Sequence, residues 1–234
     1  MPSARQELLR LLAKKSFRLG EFKLSSGGTS DYYVDCRTTT LDARGAQLTG
    51  KVFLQEIRKQ KWKPKAIGGL TMGADPIVTA VAVTSGEING FLVRKGEKQH
   101  GTGQRIEGFR EEGARVVIVD DVCTTGASTV QAIEAAREFG FKVVGVMCLV
   151  EREEAEGRAN VEQAASPAPF VAIFTANDVR KVHRPVKLGK AAKTRRSVKG
   201  VASSPTFAVA AICEVCGRQA VTNMPRNRCQ AHRM

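Results

Sequence analysis

Residues 115–129 read RVVIVDDVCTTGAST. Four strand-forming apolar positions run into two adjacent aspartates, and the chain then breaks into Thr, Gly and Ser. The continuation ASTVQAIEAAREFG (127–140) has helical spacing and stops at Gly140, a residue suited to the end of a helix. A strand apolar at every position is buried on both faces, the mark of a parallel sheet covered by helices. Such sheets bind ligands in the crevice at the carboxyl ends of their strands, where Asp120 and Asp121 fall.

The flanking chain repeats the alternation. Residues 42–60 and 73–83 read as helices; KAIGGL (65–70), GFLVRK (90–95), KVVGVMCLVE (142–151) and FVAIFT (170–175) read as strands. Leu8, Leu9 and Leu12, with Phe17 further on, repeat at helical spacing and predict an amphipathic first helix. No apolar run approaches the roughly 18 residues of a membrane span, and the N-terminal stretch has neither the apolar core nor the cleavage site of a secretory signal. The expected class is α/β, with a central, mostly parallel sheet flanked by helices.

Charge divides the chain. From Arg180 onward lie 13 of the 37 Lys and Arg but only one acid, Glu214, a net +12; the preceding 179 residues carry +2. A polyanion argument therefore applies to the tail alone. Residues 183–205 are basic and hold no acid, as in a flexible linker. The expected organisation is a catalytic domain over 1–182, that linker, and a small unit over 206–234. In the last unit Cys213 and Cys216 form one knuckle, and Cys229 and His232 another twelve residues later. Three thiolates and an imidazole satisfy tetrahedral Zn²⁺ with no open position, which predicts a structural, ribbon-like site. The tail holds one aromatic for base stacking, Phe207, so nucleic-acid contact through it would be electrostatic and weak. The other cysteines are scattered, consistent with a reducing cytoplasm.

After the two aspartates, Thr124, Thr125, Gly126, Ala127 and Ser128 supply hydroxyls and unpaired amides at a helix N-terminus, a ready anion site. Carboxylates repel phosphate, so Asp120 and Asp121 suit sugar hydroxyls or a metal one step away. A phosphate at one end and vicinal hydroxyls at the other describe a ribose 5-phosphate. A second segment, FLVRKGEKQHGTGQRIEGF (91–109), crowds Arg94, Lys95, Lys98, His100 and Arg105 onto a glycine-rich stretch fit for pyrophosphate.

The first stretch resembles the phosphoribosyl-diphosphate (PRPP) motif of the type I phosphoribosyltransferases. The second is similar to the hood loop of the orotate phosphoribosyltransferases, R-K-x-x-K-x-H-G. SSGGTSDYYVDCR (25–37), LVEREE (149–154) and FTAND (174–178) are similar to that family's ring-binding segment, its V-x-R-x-E stretch, and its closing strand and turn. The resemblance covers about residues 3–182 and implies the type I phosphoribosyltransferase fold with a mobile hood loop. It implies transfer of ribose 5-phosphate from PRPP to N1 of orotate, in pyrimidine (UMP) biosynthesis. Lys98, His100, Asp120 and Asp121 are then catalytic. Arg94 and Lys95, with Val122, Cys123 and the loop 124–128, join them in binding PRPP; Cys123 stands where the motif is variable and is no nucleophile. Tyr33, Thr124 and Arg152 meet orotate. The resemblance further implies Mg²⁺ bound with PRPP, a cytoplasmic homodimer, and a hood loop acting in the neighbouring subunit, with Lys95 reaching across. Ser25 and Met72 stand where many members have lysine. Two other readings stay open: a PRPP-sensing regulator of the same fold that binds nucleic acid through its tail, and a purine-base transferase, which the cationic loop disfavours.

Overall fold

The computed structural model describes residues 2–23, 28–96 and 105–183. The chain opens with helix α1 (Ala4–Lys15), started by a capping box between Ser3 and Gln6. Leu8 and Leu12 are fully buried, but the helix ends before Phe17, which opens strand β1 (Phe17–Lys23) instead. The backbone turns there because Ser16, buried, holds Thr39 through its hydroxyl at 2.7 Å and accepts the amide of Asp35 at its carbonyl. β1 pairs antiparallel with β2 (Thr29–Val34), a small hairpin outside the main sheet.

A short helix, α2 (Arg37–Thr40), leads into α3 (Ala43–Lys59), capped by the Asp42 carboxylate on the amide of Gly45. Then follow β3 (Ala66–Leu70), α4 (Asp75–Ser85), β4 (Asn89–Val93), β5 (Ile106–Gly108), β6 (Arg115–Cys123), α5 (Ala127–Glu138), β7 (Lys142–Glu151), α6 (Gly157–Ala165), β8 (Phe170–Thr175) and α7 (Ala176–Val182). The main sheet has the order β5-β4-β3-β6-β7-β8, parallel except for β5 on the edge. The expected α/β class, with its mostly parallel sheet, holds. Every strand and the two longest helices read from the sequence occur within two residues of their expected bounds.

β6 shows why its apolar run is continuous. Val117 and Val119 pack into one core layer with Leu12 of α1, Phe53 of α3 and Ile77 of α4. Val116 and Ile118 pack into the opposite layer with Ile133 of α5, Val161 of α6 and Phe141. Each strand residue thus loses its water to a helix on one side or the other, at about 25 cal/mol per Å² of apolar surface. The sequence left unread the β1–β2 hairpin, the one-turn α2, the three-residue β5, and α6. Residues 176–178, expected as a turn, begin α7, whose start is fixed by a capping box between Thr175 and Asp178.

Candidate active site

At the carboxyl ends of β3, β6 and β7 the protein encloses a cavity of about 530 Å³. Asp120, Asp121, Thr124, Thr125 and Ser128 line one wall. Tyr33 from the hairpin, Arg37 from the start of α2, and Arg152 just beyond β7 line another. Met72 and Gly73, between β3 and α4, close a third side, and Lys95 stands beyond β4. The peptide bond between Thr71 and Met72 is cis.

The adjacent aspartates resolve their repulsion by unequal placement. Asp120 is buried: one carboxylate oxygen accepts the amide of Asp121 at 2.9 Å and the other accepts the Thr129 hydroxyl at 2.8 Å. Asp121 is half-buried and faces the cavity, with one oxygen on the amide of Val122 at 2.9 Å. Burial, then the charge of Asp121, raises the Asp120 carboxyl above the ordinary carboxylate range; burial raises Asp121 likewise. Two acids held this way bind a cation or hydroxyl donors more readily than they stay bare. The facing loop is shaped for them: a methyl group on Gly73 would lie 2.4 Å from an Asp121 carboxylate oxygen.

The loop after β6 is held from behind. Gly126 sits in the left-handed region (φ 78°) as the N-cap of α5, leaving the first-turn amides of that helix unpaired by any cap side chain. The start of α6 presses against it so closely that a methyl on Gly157 would lie 2.1 Å from the Thr124 carbonyl. Asn160 donates its side-chain amide to the Thr125 carbonyl at 3.0 Å. Val122, Thr124, Thr125 and Ser128 border the cavity. Gly126 and Ala127 are not among its lining residues. Cys123 is a correction to its place in the expected PRPP set: its side chain is 1% exposed, in the core layer with Val161 and Cys148. Only its backbone is left to meet a ligand.

Arg152 is buried, and its guanidinium donates four hydrogen bonds, to Tyr32, Ser30 and Glu154. β2 alternates, so Tyr32 turns into the core beside Arg152 while Tyr33 turns out and borders the cavity. The sequence reading chose Tyr33 and missed Tyr32, Glu154, Gly73 and Arg37. The pair Asp35–Arg37, bonded at 2.9 and 3.1 Å, was legible only as a charge pair two residues apart.

The hood reading divides. Lys95 lines the cavity of its own chain, whereas Arg94, exposed, pairs with Glu107 at 3.2 Å. The Arg94 amide donates to the Arg105 carbonyl at 2.9 Å and Val93 pairs with Ile106, so the two feet of the loop are joined. Lys98, His100 and Ser25 lie outside the described residues, as do Cys213, Cys216, Cys229 and His232 with the linker before them. Among the described residues, no group of three or more His, Cys, Asp or Glu is placed to hold a metal, and no helix is long and apolar enough to cross a membrane.

Comparison with known proteins adds independent findings. Residues 39–165 match the phosphoribosyl transferase domain model. The orotate phosphoribosyltransferase of Aquifex aeolicus is 44% identical over 170 residues, 70% of this chain and 91% of that protein. A structure of the Mycobacterium tuberculosis orotate phosphoribosyltransferase with Fe(III) dicitrate superposes with a TM-score of 0.67 at 36% identity, covering 76% of this chain and 99% of the other. The same enzyme in complex with PRPP gives 0.64 at 34% identity, with the same coverage.

Proposed function

The chain belongs to the orotate phosphoribosyltransferases, and from that premise we propose how its cavity carries out their reaction. The enzyme joins the ribose 5-phosphate of PRPP to N1 of orotate, giving orotidine 5'-phosphate and pyrophosphate, in pyrimidine biosynthesis. One observation carries the assignment of roles: paired acids, a hydroxyl-bearing helix start and a buried arginine line a single cavity.

Thr124, Thr125 and Ser128, with the free amides of α5, receive the 5-phosphate. They spend remote binding energy on aligning the sugar. Asp121, with Asp120 behind it, receives the ribose 2- and 3-hydroxyls and faces the positive charge that develops at C1 as the bond to pyrophosphate breaks. Arg152 receives the orotate carboxylate, and Tyr33 and Thr124 border the ring. Lys95, with Lys98, His100 and Arg94 of the hood, neutralises the departing pyrophosphate. The breaking of the Arg94–Glu107 pair is then part of loop closure.

The donor set fits Mg²⁺, which takes oxygen ligands and is commonly held by one or two carboxylates together with substrate phosphates. Asp120 and Asp121 would hold it with the sugar hydroxyls, and when bound it adds positive charge beside the pyrophosphate.

The test mixes the protein with PRPP, Mg²⁺ and orotate and follows the loss of orotate absorbance. Turnover with orotate and none with hypoxanthine or xanthine is the expected result; PRPP binding without turnover would favour the regulator. Lys98→Ala is expected to lower kcat by roughly 10²–10³-fold with the fold intact. Unchanged turnover in that variant removes the hood from the chemistry.

A further inference from the structure

We propose that Tyr32 and Glu154 are positioning residues that hold the Arg152 guanidinium with one edge turned to the substrate. The inference rests on the reading of Arg152 as the group that meets the orotate carboxylate.

A buried arginine on a mobile stem binds a carboxylate poorly, because its rotamers must be frozen at the moment of binding. Here they are frozen in advance. Arg152 Nε donates to the Tyr32 hydroxyl at 3.1 Å and to Glu154 Oε1 at 3.0 Å; Nη2 donates to Glu154 Oε1 and to Ser30 Oγ, both at 2.9 Å. The Tyr32 hydroxyl in turn donates to Glu154 Oε1. The guanidinium carbon also lies 4.5 Å from the centre of the Tyr32 ring.

Each of these bonds uses Nε or Nη2. Nη1 makes none among the described residues, and Arg152 borders the cavity. The bonded edge is therefore structural and the other edge is for ligand, so an incoming carboxylate is met at Nη1 and not by the Nε–Nη2 fork.

The holder is itself anchored. Tyr32 stacks on Phe17 at 5.2 Å between ring centroids and 16° between planes, and Phe17 lies against His183 at 5.1 Å. The backbone amide of Arg152 is tied to the Cys123 carbonyl at 2.9 Å. Burial, then the bond to Glu154, pushes the Tyr32 hydroxyl up to about 12, so it stays a donor at any pH the enzyme meets. A positioned Nη1 also discriminates: a pyrimidine without the 6-carboxylate, such as uracil, gains nothing from it.

The experiment measures KM and kcat for orotate, for PRPP and for uracil in Tyr32→Phe, Glu154→Ala, Glu154→Gln and Arg152→Ala, with Tm for each. Tyr32→Phe and Glu154→Ala are expected to raise KM for orotate about tenfold and to lower the orotate-to-uracil preference as far. KM for PRPP should stay within about twofold. Glu154→Gln, which keeps the accepting oxygen, should restore most of the orotate KM. The proposal is overturned if Tyr32→Phe and Glu154→Ala leave orotate KM and preference unchanged while Arg152→Ala worsens both. It is equally overturned if KM for PRPP rises in parallel with a fallen Tm, which marks general damage. Should Arg152→Ala itself leave orotate binding intact, the reading of Arg152 fails and the holder with it.

Discussion

At the scale of single residues, the site is built from groups that would be more stable elsewhere. Burial raises both Asp120 and Asp121 above ordinary carboxylates, and the charge of Asp121 raises Asp120 further. A carboxyl raised in the folded state binds its proton more tightly there than in the unfolded chain. Stability is then fully present below the unfolded value and is lost as pH rises through the folded one. Asp121→Asn removes one charge while its side-chain oxygen can still accept the amide of Val122. The variant is expected to gain roughly 1 kcal/mol near neutral pH, seen as a Tm about 2–4 °C higher, and to lose nearly all turnover. A lower Tm would mean that the acids are stabilising each other. The doubled aspartate was legible in the sequence because nothing structural requires it. The choice between Tyr32 and Tyr33 was not legible, since a two-residue aromatic pair does not say which member faces in. The strand register decides that, and it comes from the pairing of β1 with β2.

At the scale of elements, α6 governs the loop that receives the phosphate. Gly157 touches the Thr124 carbonyl closely, Gly126 would set a methyl 2.8 Å from the Gly157 carbonyl, and Asn160 bonds Thr125. Two glycines facing each other let a helix start and a loop meet backbone to backbone. Gly157→Ala is expected to push the Thr124–Thr125 segment outward and raise KM for PRPP about tenfold, with orotate KM changed less. Wild-type kinetics in Gly157→Ala would show that the loop relaxes freely. The alternation of strands and helices was read correctly because each central strand is apolar on both faces. α6 escaped notice because EGRANVEQAAS buries only Gly157, Val161 and Ala165, too thin a stripe to show as a period. β5, at three residues, is shorter than any pattern can register.

At the scale of the whole molecule, one face and one tail remain to be used. Leu41 and Val83 are 71% and 80% exposed beside a largely apolar groove between α3 and α4. At its edge the Thr40 hydroxyl and one Asp75 carboxylate oxygen are buried with no hydrogen-bond partner among the described residues. We propose this face as the seat of the second copy in the homodimer that the family resemblance implies. Leu41→Asp should halve the molecular mass in solution by light scattering and reduce turnover; a dimer of undiminished activity would place the contact elsewhere. For the tail, removing residues 184–234 should leave kcat within about twofold and abolish bound zinc measured by elemental analysis of the full chain. Zinc-free full-length protein would end the Cys213–Cys216–Cys229–His232 reading. Charge made the tail legible as a separate region, because its +12 stands beside a nearly neutral remainder.

The backbone pairing of Arg94 with Arg105 has a consequence for how the enzyme can be altered. Because Arg94 and Arg105 meet through their backbones, the two ends of the intervening segment are already held together at the sheet. Doubling such a loop's length costs only about 0.6 kcal/mol of closure entropy. Segments of other lengths and charge patterns are therefore expected to be accepted between the same two arginines, with Tm nearly unchanged, because the parallel sheet need not refold around them.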